Sequence, residues 1–288
     1  MFHSDNNQNI RIYSPNQNTG WGWQVWHEMV LEIVSSRGLI WRLFLRNFKA
    51  KYTQTFLGWS WAFIMPLFTV GAFVFLNMSG VLNIGHVDIP YPAYALLGLS
   101  IWQIFSGGLN GGSRSIVAGG SMVVKINFPK EALVLSAYGL TFVDVLIRLS
   151  LTTVVFLYFK IVPAWSVLLF PVSIIPVIML TLGLSLLLSL LNAIFRDVVN
   201  IVSLFSTFLL FATPVLYPEP RIPIFKFFCL FNPLAVLISG PRDLVIKGSL
   251  SQPNLFYFYS CFSIILFLVS WRLFHLAEVR IAERISAR

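Results

Sequence analysis

The chain has 288 residues, of which 57% are hydrophobic and only 11% charged, and its net charge is +9. A soluble globular chain carries roughly 25% charged residues, so that class is excluded. With this apolar content, the basic excess suits an anionic membrane leaflet better than a nucleic acid.

Residues 1–20 are polar and rich in Asn and Gln. They hold no apolar run of the signal-peptide kind, and a flexible cytosolic tail is expected. Residues 21–52 read as an amphipathic helix region lying on the membrane surface. Trp23, Trp26, Val30, Ile33, Ile40, Phe44 and Phe48 recur at three- and four-residue steps. Arg42, Arg46, Lys49 and Lys51 gather where this region turns into the membrane. Anchoring to anionic lipid would explain these cations. A sharper reading makes them the receiving site for a diphosphate headgroup, because arginine binds phosphate through charge-assisted bonds.

Residues 53–275 form the membrane domain. A hydrocarbon core of about 30 Å needs roughly 20 apolar helical residues. Six crossings are predicted: about Phe56–Leu76, Ala93–Val117, Ala132–Phe159, one between Lys160 and Arg196, Val198–Tyr217 and Leu255–Leu273. With the N-terminus inside, Arg37, Arg42, Arg46, Lys49, Lys51, Lys125, Lys130, Arg196, Arg280, Arg284 and Arg288 are cytosolic. The other side holds Lys160, Arg221, Lys226, Arg242 and Lys247, and this asymmetry places both termini in the cytosol.

The first crossing opens on Trp59, Trp61 and Phe63, and the fifth presents Phe205, Phe208, Phe211 and Tyr217. Such rings either pack against lipid and neighbouring helices or line a path for sugar faces. In the third crossing, Asp144 and Arg148 are four residues apart, share a helix face and are expected to pair. Between the second and third crossings, about residues 120–133, lies a short cytosolic loop broken at Phe128-Pro129. It reads either as an ordinary loop or as a short helix offered to a cytosolic partner, with Lys125, Asn127, Phe128, Pro129, Lys130 and Glu131 as candidates.

The external segment, about 218–254, is apolar yet interrupted by six prolines, so no piece of it spans. Two short re-entrant or interfacial helices are expected, the second starting at Asn232 as cap with Pro233 in its first turn. They serve as a gate or merely cap the bundle. Residues 276–288 are expected to be a basic cytosolic tail. Cys229 and Cys261 lack metal-ligand spacing and read as unpaired apolar thiols. His3, His27, His86 and His275 are scattered, and Asp88 and Asp197 fall on opposite sides of the membrane. A membrane-embedded glycosyl or lipid-phosphate transferase is therefore disfavoured, and no metal site is expected. No G-x-x-x-x-G-K-[ST] phosphate loop occurs in the chain.

Several motifs in order resemble those of the membrane subunits of bacterial polysaccharide, O-antigen and teichoic-acid ABC exporters. They are Leu57-Gly58-Trp59-Ser60-Trp61 with Pro66, the Phe128-Pro129-Lys130-Glu131 loop and Arg196-Asp197. Thr213-Pro214-Val215-Leu216-Tyr217-Pro218 and Asn232-Pro233-Leu234 complete the set, and Gly240-Pro241 interrupts what is a continuous gate helix in that family. The resemblance covers about Arg37 to Leu273. It implies an all-α inner-membrane permease that works as a homodimer above two ATPase subunits. ATP and magnesium would sit in those subunits, with no cofactor in this chain. The implied cargo is a glycan on a lipid diphosphate such as undecaprenyl diphosphate. O-antigen of lipopolysaccharide is expected first, and teichoic acid or capsular polymer is the alternative.

Overall fold

Apolar periodicity in this sequence becomes helix over most of the chain in the structure, a computed structural model, which describes residues 22–52, 56–81, 85, 87–120, 122–126, 128–218 and 223–286. The expected polar tail, Asn127, Arg221 and Arg288 lie outside the described residues. The helices are α1 (Trp23–Ser35), α2 (Arg37–Tyr52), α3 (Trp61–Met78), α4 (Tyr91–Gly119), α5 (Met122–Lys125) and α6 (Glu131–Tyr158). They continue as α7 (Phe170–Ser173), α8 (Ile175–Ile194), α9 (Val198–Ala212), α10 (Pro223–Phe231), α11 (Pro233–Ile246) and α12 (Pro253–Ser286). No strand occurs among the described residues.

Four stretches are both long and apolar enough to cross a bilayer: Gly58–Met78, Glu131–Tyr158, Trp165–Ile194 and Pro253–Glu278. At 1.5 Å per residue, the shortest of them, 21 residues, covers the roughly 30 Å required. The two other expected crossings differ for separate reasons. Helix α4 has the length, 29 residues, but carries Gln103, Asn110, Arg114 and a Gly- and Ser-rich second half. Helix α9 ends after 15 residues, and Thr213–Leu216 follow as buried non-helical chain.

Helix α4 is the centre of the packing, touching α3, α6, α8, α9 and α11, while α12 lies along α8. Small residues make this possible. An added Cβ at Gly98 would overlap the Val215 carbonyl oxygen, and one at Gly112 would lie 2.5 Å from Ser185 Cβ. With little hydrophobic drive between helices in lipid, close van der Waals packing over small residues is the main source of association. The core runs from Tyr91 through Ile101 and Leu109 to Val177, Leu237 and Ile238.

Three expectations about elements need correction. The surface helix is two helices that meet at Ser36. Part of the apolar side of α2 docks on protein: Leu43 is buried, and Phe44 lies over Gly139 of α6. The last helix runs past the predicted end of the crossing at Leu273 to Ser286, so most of the expected tail is helical. Finally, Gly240-Pro241 does not interrupt α11, which passes through both residues. Proline there removes one backbone bond, and dense burial of Leu237, Ile238 and Gly240 holds the helix instead.

Candidate functional site

The cations near the membrane turn fall into two groups. Arg42 and Lys49 are exposed on α2. Arg46 and Lys51 enter a cleft between α2, α4 and α6, lined also by Asn47, Gly111, Ser115 and Thr141, with a volume of about 320 Å³. The Lys51 ammonium donates to both Asp144 oxygens, at 2.5 and 2.7 Å. That bond ties the end of α2 to the third predicted crossing over 93 residues of sequence. A second cavity of about 460 Å³ opens on the other side of this bridge, against Gly58, Trp61, Met65, Pro66 and Arg148. Asp144 and Arg148 thus line one cavity as their spacing predicts, but the carboxylate bonds the lysine from α2. Helical spacing reports only local pairs, so this partner was not visible in the sequence.

Aromatic rings lead from α2 into the first crossing. Phe44 stacks on Phe48 at 5.6 Å, and Phe48 meets the edge of Trp59 at 4.8 Å. Trp59, Trp61 and Phe63 are exposed, as are Phe205, Phe208 and Phe211 on α9. Both α3 and α9 pack on α4, so these rings stand on outward faces of the single chain. Tyr217 is half-buried and donates its hydroxyl to the Phe211 carbonyl at 2.6 Å, fixing the chain just after α9.

Most of the loop predicted to be cytosolic is buried. Lys125 and Ile126 are exposed, but Phe128 is 4% exposed, Lys130 7% and Glu131 2%. Phe128 packs with Leu43, Ile116, Leu133, Leu186 and Phe274. The Lys130 N–H donates to Glu278 Oε2 at 3.0 Å, and its ammonium donates to the Ile126 carbonyl at 3.1 Å and lies 4.1 Å from the Phe128 ring. Burial holds that ammonium below the ordinary lysine range. The Phe-Pro-Lys-Glu run therefore faces inward and anchors the loop to α12, leaving Lys125 and Ile126 exposed.

The same contact gathers charges that chain spacing hid. His275 Nδ1 lies 3.2 Å from Glu131 Oε1, 3.9 Å from Glu278 Oε1 and 4.0 Å from Glu32 Oε2. Burial raises the Glu32 carboxyl above the usual carboxylate range. Beside this cluster, the Arg272 guanidinium is fully buried and reaches Met29 Sδ of α1 at 3.8 Å. Histidines that look scattered in sequence thus contribute one member to a compact acidic group. Its only sequence signal is the three-residue step from His275 to Glu278, which puts both on one helix face.

On the opposite end of the bundle, Asn232 caps α11 as expected, accepting from the Leu234 N–H at 3.1 Å. Its amide donates to Thr213 Oγ1 at 2.9 Å. Arg242 is buried, donates to the Pro214 and Val215 carbonyls at 2.8 and 3.2 Å, and lies 4.4 Å from the Tyr94 ring. Helix α11 is thereby fixed to the segment that follows α9. With 9 and 14 residues, α10 and α11 are each too short to cross a bilayer.

Comparison with known proteins agrees with this architecture. The O-antigen export system permease protein RfbA of Myxococcus xanthus is 29% identical over 261 residues, covering 89% of this chain and 99% of that protein. The protein of the same name from Klebsiella pneumoniae is 29% identical over 244 residues, 83% of this chain and 91% of its own length. The polysialic acid transport protein KpsM of Escherichia coli is 23% identical over 248 residues, 82% and 92% of the two chains. The family model described as ABC-2 type transporter matches residues 38–246, so the chain belongs to the ABC-2 type transporter membrane family.

Proposed function

We propose that this chain is the permease subunit of an ATP-driven exporter that moves a lipid-diphosphate-linked polysaccharide, O-antigen first, across the bacterial inner membrane. The observation that carries the reading is the pair of cavities flanking the Lys51–Asp144 bridge: Arg46 lines one, and Lys51 and Arg148 line the other beside Trp61 of the first crossing. A diphosphate needs cations at the headgroup level, and an attached glycan needs ring faces that do not demand one linkage. The relatives named for O-antigen export supply the cargo class. The relative named for polysialic acid transport favours capsular polymer as the second reading.

In this reading, α3, α4, α6, α8, α9 and α12 make six crossings, with α10 and α11 re-entrant on the outer side and both termini in the cytosol. A second copy of the chain completes the path, and the outward rings of α3 and α9 face it. Two ATPase subunits bind beneath α5 and supply the energy, since this sequence has no phosphate loop. Their closure moves the loop, and the loop moves α6 and α12, to which it is anchored.

Changing Arg42, Arg46 and Lys49 together to Gln tests the entry site. Each charge-assisted contact is worth about 1.5–3 kcal/mol, so loss of even one predicts roughly a tenfold fall in export. The measurement is surface polysaccharide at matched levels of inserted protein, and Arg46→Gln alone should account for most of the loss. Unchanged export in the triple variant rejects the entry site. A companion experiment exchanges the bridge charges, Lys51→Asp with Asp144→Lys. Lys51 is over a third exposed, so losing the attraction costs stability only about 0.2–1 kcal/mol, and the like-charge contact that either single reversal creates adds to that cost. Export should fall in both single variants and recover partly in the exchange, because the cleft keeps its cation. Recovery to neither level would show that the bridge is not a simple tether.

A further inference from the structure

We propose that Glu32, Glu131, His275 and Glu278 form a binding site for one divalent transition-metal ion, which staples the cytosolic loop to α1 and α12. The donors come from three separate helices and meet around one imidazole nitrogen. The donor atoms of Glu131, His275 and Glu278 lie within 4.8 Å of one another. The separations from His275 Nδ1, 3.2, 3.9 and 4.0 Å, suit this chemistry. With zinc-to-donor bonds near 2.0–2.1 Å, the edge of a coordination tetrahedron is about 3.3–3.5 Å. Bringing the two longer separations from the imidazole to that edge takes roughly 0.5 Å each, and the Glu131 and Glu278 oxygens, within 4.8 Å of each other, close by up to about 1.5 Å through glutamate rotamer changes.

Two further observations point to a ligand. Glu131 Oε2 and Glu32 Oε2 are buried and accept no protein hydrogen bond. Glu131 is 2% exposed, so an unsatisfied oxygen there is costly unless something neutralises it. A proton shared between His275 and Glu131 serves one carboxylate, whereas a cation at the centre serves all three. The surrounding groups already have the character of an outer shell. The Lys130 N–H holds Glu278 through its other oxygen, Oε2, at 3.0 Å, leaving Oε1 turned toward His275. Second-shell bonds of this kind orient metal ligands. One imidazole and three carboxylates select zinc, manganese, iron(II) or cobalt over calcium, which takes six to eight oxygens. The inference concerns how this chain holds its own loop and does not depend on the identity of the cargo.

The test uses the untagged full-length protein in detergent, stripped with a chelator and titrated with Co²⁺. The expected result is uptake of one ion per chain with the strong visible absorption of tetrahedral cobalt, bleached by Zn²⁺, and a rise in melting temperature. Glu131→Gln and His275→Gln should each lose the absorption, while Lys247→Gln, at the far end of the bundle, should keep it. If either site variant fails to fold, titration of the unmodified chain still decides. No uptake by that chain overturns the proposal and leaves a shared proton as the state of the cluster. Cobalt absorption that survives in both site variants places the ion elsewhere and overturns it equally.

Discussion

Replacing Gly98 by leucine is expected to abolish stable insertion of the bundle, and alanine at the same position should already weaken it severely. Helix α4 passes Val215 so closely that even one Cβ meets the carbonyl oxygen of a backbone with no side-chain freedom to yield. Overpacking of this kind costs about 1–3 kcal/mol where neighbours can shift, and more where they are main chain. Val215 cannot shift easily. It is fully buried, and its carbonyl also accepts from Arg242, so a displaced Val215 would pull α11 with it. Gly112 offers a graded comparison, because its added Cβ meets the Ser185 side chain at 2.5 Å. That serine also donates to the Gly108 carbonyl at 3.1 Å, so Gly112→Ala should cost less than Gly98→Ala but more than an exposed change. Inserted protein after detergent extraction and its melting temperature measure both effects. Wild-type stability in Gly98→Ala would mean that α4 does not approach Val215 as described.

The contrast between these glycines and the charged residues explains what the sequence disclosed. Long apolar runs showed four candidate crossings, in α3, α6, α8 and α12, because bilayer thickness acts on every residue of a run. Asn232-Pro233 showed the start of α11, because a cap is written within three residues. The partners of Asp144 and Glu131 were hidden, at separations of 93 and 144 residues, because only tertiary packing joins those helices. The same cause hid the surroundings of the loop at Phe128-Pro129. A phenylalanine next to a proline in a short amphipathic loop fits a loop or a presented helix equally, and nothing local announces the buried cluster that Phe128 shares with Leu186 and Phe274. Helix α4 gave a mixed signal, since the glycines that make it central also dilute its apolar character.

The inward position of Phe128 sets the second large effect. Phe128→Ala should destabilise the protein by about 3–5 kcal/mol, the usual cost of emptying a buried phenylalanine site. Lys125→Ala, at the exposed end of α5, should stay within about 0.5 kcal/mol of the parent. Under the proposed function, the two substitutions should both reduce export, by different routes. Phe128→Ala detaches the loop from Leu43, Leu133 and Phe274, so motion delivered at α5 is no longer passed to α6 and α12. Lys125→Ala leaves that anchor whole and disturbs only the surface offered to the ATPase. Phe128→Leu separates anchoring from recognition: it refills most of the cavity without an aromatic ring, and it should restore both melting temperature and export. An outward-facing Phe128 read by a partner would behave in the opposite way, with normal stability in Phe128→Ala and no rescue by leucine. Melting temperature and export measured on the same three variants decide between those two placements of the ring.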